Sequence, residues 1–365
     1  MGFARSILAL QGSIFDFRVM KIENRNMKSE TAALRQETTS GTRDYCVAIR
    51  TLGTAGEKYQ KLLDSLQSQT LPPKKILVYI PHGYPAPKET VGVEQIVRCE
   101  KGMITQRSLS FDEIDTDYVL FCDDDLFLPP CFVERMFDGL VIHKGDCIAA
   151  SVDGTQWSKL YQIKIFLHSF VTMRENDGWG IKVKRHASYS FNKNPGDDFL
   201  LTESAPGASC LCKMNIYRSI HFEDERWMEK MKFPAGEDQL FYYKMYVMGY
   251  RVFLFYNSGL IHLDAQAGLR PVRKEKMYLQ KKNMFTLWYR TIYAIRSKSK
   301  MEKLRCIMSF SWRCLFGVFT LPLEVIYYKQ PHFFIDYFRG LYAGYKYVHS
   351  EEFKKIPPFD YYIDK

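Results

Sequence analysis

Four short apolar runs constrain this chain most tightly: "YCVAIR" (45–50), "KKILVYI" (74–80), "EQIVRC" (94–99) and "YVLFC" (118–122). Segments of helical periodicity lie between them. "EKYQKLLDSLQSQT" sets Tyr59, Leu62, Leu63 and Leu66 on one helical face, and "LPP" then stops it. "ITQRSLSFDEI" (104–114) reads as a second helix. Strands that are apolar on both faces and alternate with helices need cover on both sides. This predicts an α/β fold around a mostly parallel sheet. In such sheets the ligand site lies beyond the carboxyl ends of the strands.

The fourth run ends there in three carboxylates, "YVLFCDDDLFLPP" (118–130). Three adjacent acids beside a buried strand need a compensating positive charge. If the chain stays extended, Asp123 and Asp125 face one side and Asp124 the other. Two same-side carboxylates suit a hard divalent cation, Mg²⁺ or Mn²⁺; solvated acids in a turn are the plainer alternative. A second acidic locus, "GEDQLFYYKMYVMGYRVFLF" (236–255), opens a helix with Glu237 and Asp238 and ends it at Gly249 before a strand. First-turn acids meet the helix dipole favourably, so capping explains them as readily as catalysis. His262, in "GLIHLD", follows as a structural residue or a metal partner.

An apolar content of 46% and an aromatic content of 15% exclude a disordered chain, and 365 residues suffice for a large domain with an appendage or for two domains. The net charge of +10 favours an anionic partner. Ten of the cations lie within 266–300 with Glu275 as the single acid, where a solvated helix face is the alternative. No nucleic-acid-binding motif accompanies the charge, so no nucleic-acid partner is expected. "GTAG" is not followed by GxGxxG, which excludes a dinucleotide fingerprint. Nine cysteines without a CxxC pair suit free thiols in a reduced, cytoplasmic setting. Residues 1–43 are expected to form a polar, poorly ordered leader without a clear export signal. "CLFGVFTLPLEVIYY" (314–328) contains Glu324 and falls short of the roughly 20 residues that a membrane span needs.

Four segments in order resemble the family 2 glycosyltransferases of GT-A fold, over roughly residues 44–265. They are "CVAIRTLGTAGEKYQKLLDSLQSQTLPPKKILVYI", "QRSLSFDEIDTDYVLFCDDDLFLPPCFVERM", "PGASCLCKMNIYRSIHFEDERW" and the "GED" helix. The resemblance implies a GT-A-type, Rossmann-like sheet and inverting transfer from a nucleotide-sugar donor. The acceptor implied is a hydroxyl on a growing glycan, either surface polysaccharide or lipid-linked, and the cofactor a divalent cation, Mn or Mg. It also implies roles. Asp125 would hold the metal, with His262 completing its shell or touching a phosphate. Asp123 or Asp124 would take the ribose hydroxyls, and Thr51 and Arg107 would belong to the donor site. Asp238 would be the general base, with Glu237 raising its pKa by like charge or binding the acceptor, and Gly207 would sit in the acceptor-side loop.

The chain departs from that family pattern in its first turn, "RTLGTAG", which retains Thr51 only, and in "VYIPHG", which lacks base-reading acids. The absence of a Gln-x-x-Arg-Trp motif points to one sugar per visit. Transfer to a polyprenyl phosphate, which needs no base, and a non-catalytic glycan- or nucleotide-binding module are the rival readings. Residues 266–365 mix cations with aromatics, as expected of helices apposed to an anionic bilayer or packed as a subdomain on the sheet. In the first case the protein would lie peripherally at the inner face of the cell membrane.

Overall fold

The computed structural model describes residues 43–152, 178–192, 195–232, 236–263 and 274–363; the leader expected at 1–43 lies almost wholly outside them. The four apolar runs form strands β1 (Tyr45–Arg50), β2 (Lys75–Pro81), β3 (Glu94–Cys99) and β4 (Tyr118–Asp123). Shorter strands follow: β5 (Leu126–Phe127), β6 (Cys147–Ala150), β7 (Ile181–Val183), β8 (Tyr189–Phe191), β9 (Phe199–Leu201), β10 (Ser209–Lys213), β11 (Val252–Phe255) and β12 (Ile261–His262). Eight of them build one sheet in the order β3-β2-β1-β4-β10-β6-β11-β9. Pairing is parallel from β3 through β4 and between β6 and β11, and antiparallel along both edges of β10 and at β9. The sheet is mostly parallel, as expected. Successive strands step one way from β1 to β3, and the chain then returns to place β4 on the other side of β1. That reversal makes the carboxyl ends of β1 and β4 the switch point where a ligand crevice opens.

Helices α1 (Glu57–Gln67), α2 (Met103–Arg107), α3 (Phe132–His143), α4 (Met214–Ser219) and α5 (Glu237–Val247) surround the sheet, joined by a 3₁₀ helix at Phe222–Met231. Two expectations need correction. The helix expected over 104–114 ends at Arg107: Ser108 leaves helical geometry (φ −116°, ψ 22°), and Phe111 then adopts a left-handed φ of 52°. This drives its ring between Tyr79 and Phe121, at centroid distances of 4.8 and 5.1 Å. Burying that ring outweighs continuing the helix. β3 is not buried on both faces: it is the edge strand, and Ile96 is 43% exposed.

Beyond the described gap at 264–273, where the expected domain boundary falls, α6 (Lys276–Trp288) continues through a π-helical turn (Tyr289–Tyr293). It is followed by α7 (Lys300–Tyr328), α8 (Phe333–Val348) and α9 (Glu351–Lys354). Trp288, Ile292, Phe310 and Phe359 share one apolar cluster with the sheet residues Cys46, Leu77 and Val119. A buried ionic lock reinforces that cluster. Glu225 accepts from Arg290 at 2.6 and 2.7 Å, from Lys244 at 3.3 Å and from the Trp227 indole at 2.7 Å. Arg290 also donates to the Pro357 carbonyl at 3.1 Å, which ties in the C-terminal tail. The basic stretch is therefore not simply a solvated face: Arg290 and Lys281 are buried, and Lys276, Lys281 and Lys282 lie over tyrosine rings. All nine cysteines are free, and seven are buried.

Candidate active site

Parallel register sets Arg50 directly opposite Asp123 at the ends of β1 and β4. The Asp123 N–H donates to the Ala208 carbonyl at 2.9 Å, and the chain then turns rather than staying extended. The expected sharing of one side by Asp123 and Asp125 is thereby lost, and each acid finds its own partner. Asp123 Oδ1 accepts from Arg50 Nη2 at 3.2 Å and from Arg107 Nη2 at 3.4 Å. Asp124 accepts from the Thr51 hydroxyl, which itself accepts from the Gly53 N–H at 2.8 Å. Asp125 Oδ1 meets His262 Nε2 at 2.9 Å. That contact is built by backbone: β12 pairs antiparallel with β5, setting His262 opposite Leu126, and the Leu263 N–H donates to the Asp125 carbonyl at 2.8 Å.

The positive charge facing Asp123 in this structure is thus a pair of guanidinium groups. Arg107, at the end of α2, reaches in two directions. Its Nη1 donates to Asp238 Oδ1 at 3.1 Å and to the Gly207 carbonyl at 3.3 Å, so one side chain joins both acidic loci. Gly236, with φ of 102°, turns the chain into α5 and places Glu237 and Asp238 in its first turn. Gly207 leaves room for this junction: a Cβ there would lie 2.5 Å from Arg107 Nη1 and would overlap the Asp238 carboxylate, so both side chains would have to shift.

Burial raises the Asp238 pKa, Arg107 pulls it down and Asp123 pushes it back up, leaving it above the ordinary aspartate value. Glu237 is pushed up to about 7, by burial first and by Asp238 second. The repulsion between Glu237 and Asp238 is mutual, and Asp123 adds to it at Asp238. Asp124 is also raised, by burial and then by its two neighbouring acids, against the Thr51 hydroxyl bond. Burial opposes the charge of Arg107, but Asp123, Asp238 and Glu237 more than offset it.

Several site residues escaped the sequence reading. Arg50 looked like the end of an apolar run; assuming parallel pairing of the first and fourth runs would have set it against the first acid. Tyr217 donates to the carbonyls of Arg107 and Leu109 at 2.9 and 2.7 Å, and Tyr242 donates to that of Pro206 at 3.2 Å. They hold the end of α2 and the loop before Gly207, and no local pattern announces either. Burial first, and Asp238 next, raise the pKa of Tyr189 on β8.

Among the described residues no cluster of three or more His, Cys, Asp or Glu could hold a metal. Asp125 and His262 form a two-residue set. That fits a cation of the Mg²⁺ or Mn²⁺ type, which takes few protein ligands and completes its shell with phosphate and water.

No protein-family model and no curated protein matches the sequence. Among solved structures, S. aureus TarS 1–349 in complex with UDP is 15% identical, with a TM-score of 0.46 over 88% of each chain. GalNAc-T7 with UDP, GalNAc and Mn²⁺ is 12% identical, with a TM-score of 0.45; the match covers 79% of this chain and 58% of GalNAc-T7. Likeness at this distance assigns neither substrate nor chemistry to the chain.

Proposed function

We propose that the chain is an inverting, metal-assisted glycosyltransferase that moves one sugar from a nucleoside-diphosphate donor to a hydroxyl of a glycan or lipid-linked acceptor. The observation that carries this reading is Arg107, which joins the Asp123–Asp125 triplet to Asp238 at the switch point of the sheet. One locus suits an anionic donor and the other an acceptor hydroxyl, and transfer needs the two within reach of each other.

Asp125 and His262 would hold the divalent cation, which supplies charge neutralisation to the departing diphosphate. Asp124, oriented by Thr51, and Asp123, oriented by Arg50, present carboxylate oxygens to donor hydroxyls. Asp238 accepts the proton of the acceptor hydroxyl while that oxygen bonds to the anomeric carbon and the bond to the diphosphate breaks. A single displacement of this kind inverts the carbon and needs one base. The raised pKa of Asp238 makes it a better base than a solvated aspartate, and Arg107 fixes the direction of its carboxylate. Glu237, its pKa raised by burial and by Asp238, is the acid better placed to keep a proton and donate a hydrogen bond to the acceptor.

The test is a screen of nucleotide sugars with Mn²⁺ that reads released nucleoside diphosphate. Wild type should turn over at least one donor. Asp125→Ala and Asp238→Ala should each lose about 100-fold or more in rate, the usual contribution of a positioned base for the latter. If no nucleotide sugar binds or is cleaved, the reading fails. A rate unchanged in Asp238→Asn would move the acceptor to an already ionised phosphate.

A further inference from the structure

We infer that the outer face of α7 and α8 docks on an anionic lipid bilayer, lying along its surface rather than crossing it. This inference is independent of the sugar-transfer reading. α7 is 29 residues long, with an apolar stretch long enough by length and composition to cross a membrane. Its apolar residues, however, divide into two faces. Cys306, Phe310 and Leu321 are buried against the protein. Met301, Met308, Trp312, Phe319 and Ile326, spaced 7, 4, 7 and 7 apart, form an outward stripe, with Phe319 71% and Ile326 73% exposed. α8 continues it with Ile335, Phe338 and Tyr342, all more than half exposed. Apolar surface this continuous calls for an occupant.

Two observations choose the occupant. Polar anchors hold the inner side of α7 to the rest of the fold: Glu302 pairs with Arg185 at 3.2 Å, and Arg313 donates to the His186 carbonyl. A helix fastened this way can meet lipid only from its outer side. The charge around the stripe is also of one sign. From Lys300 to His349 every exposed Lys, Arg, Asp or Glu is a cation: Lys300, Lys303, Arg305, Lys329, Arg339 and Lys346. The acids of the same span, Glu302, Glu324 and Asp336, are buried or partly covered, and Glu302 and Asp336 are ion-paired. An isologous second copy would press this cationic rim against itself, whereas an anionic bilayer complements it.

The full-length protein should float with vesicles of phosphatidylcholine containing phosphatidylglycerol, bind vesicles of phosphatidylcholine alone far less, and lose affinity as salt is raised. Lys300→Gln and Lys329→Gln should each weaken binding about fivefold, the equivalent of about 1 kcal/mol per cation near such a surface. Phe319→Glu with Ile326→Glu should abolish binding at an unchanged far-UV circular dichroism spectrum. An alkaline carbonate wash should release the bound protein. Failure of wild type to bind the anionic vesicles overturns the proposal, whatever the variants do. So does carbonate resistance, which would mean a spanning helix. A stable dimer in light scattering that Phe319→Glu dissociates, without vesicle binding, would assign the face to a second copy.

Discussion

Replacing Arg107 with Met tests whether this one side chain links the two acidic loci. Its side chain is 16% exposed, and it pairs with Asp123 at 3.4 Å and with Asp238 at 3.1 Å. At such separations each pair is worth about 5 kcal/mol of gross attraction at an effective dielectric near 20. Removing one partner of a fully buried pair costs about 3–5 kcal/mol. Asp238 is 33% exposed and Asp123 keeps Arg50, so the expected loss is smaller, about 2–3 kcal/mol near pH 8. The pH dependence has a definite sign. The folded Asp238 pKa lies above the ordinary aspartate value, so its contribution to stability is complete below that value and is lost as pH rises through the folded pKa. Without Arg107 the folded pKa climbs further, so the variant should suffer most at high pH. Urea unfolding of wild type, Arg107→Met, Asp238→Asn and the double variant gives the coupling directly. It should be about 1–2 kcal/mol at pH 8 and shrink as pH falls toward 4. Coupling within about 0.5 kcal/mol at pH 8, or equal at both pH values, would refute the linkage.

Gly207→Ala should remove most donor turnover while leaving the melting temperature within a few degrees, since the added Cβ displaces only the ends of Arg107 and Asp238. Retained activity would mean that the two side chains can part without consequence. Glu225→Ala strips the buried partner from both Arg290 and Lys244. A cost of about 3–5 kcal/mol is expected, read as a fall of roughly 5–15 °C in Tm and faster proteolytic release of the C-terminal helices.

Much of the framework is legible in local pattern. The runs that became β1, β2 and β4 are apolar enough to have no other home, and Gly236-Glu237-Asp238 marks a helix start by composition alone. The acids at 123–125 could be singled out because three carboxylates beside a buried strand need a partner, whereas those at 237–238 are equally well explained as helix-start acids. What local pattern does not carry is pairing across the sheet. Arg50 faces Asp123 only because β4 returns beside β1, and Arg107 reaches Asp238 only because β10 brings Gly207 between them. The end of α2 was misjudged for the same reason: the burial of Phe111 among Tyr79, Phe121 and Tyr217 is decided by distant residues.

The Glu225 lock also sets an order of events during synthesis. Glu225 and Lys244 belong to the half of the chain that carries the candidate site, yet Arg290 and the Pro357–Phe359 tail come later. On a ribosome adding 5–20 residues per second, Phe359 follows Glu225 by 134 residues, roughly 7–27 s. Until Arg290 has been made the Glu225 carboxylate lacks its guanidinium, and the apolar cluster stays incomplete until Phe359 follows. Burial of Glu225 and closure of the apolar cluster therefore depend on residues 288–359, which are made well after the strands of the sheet.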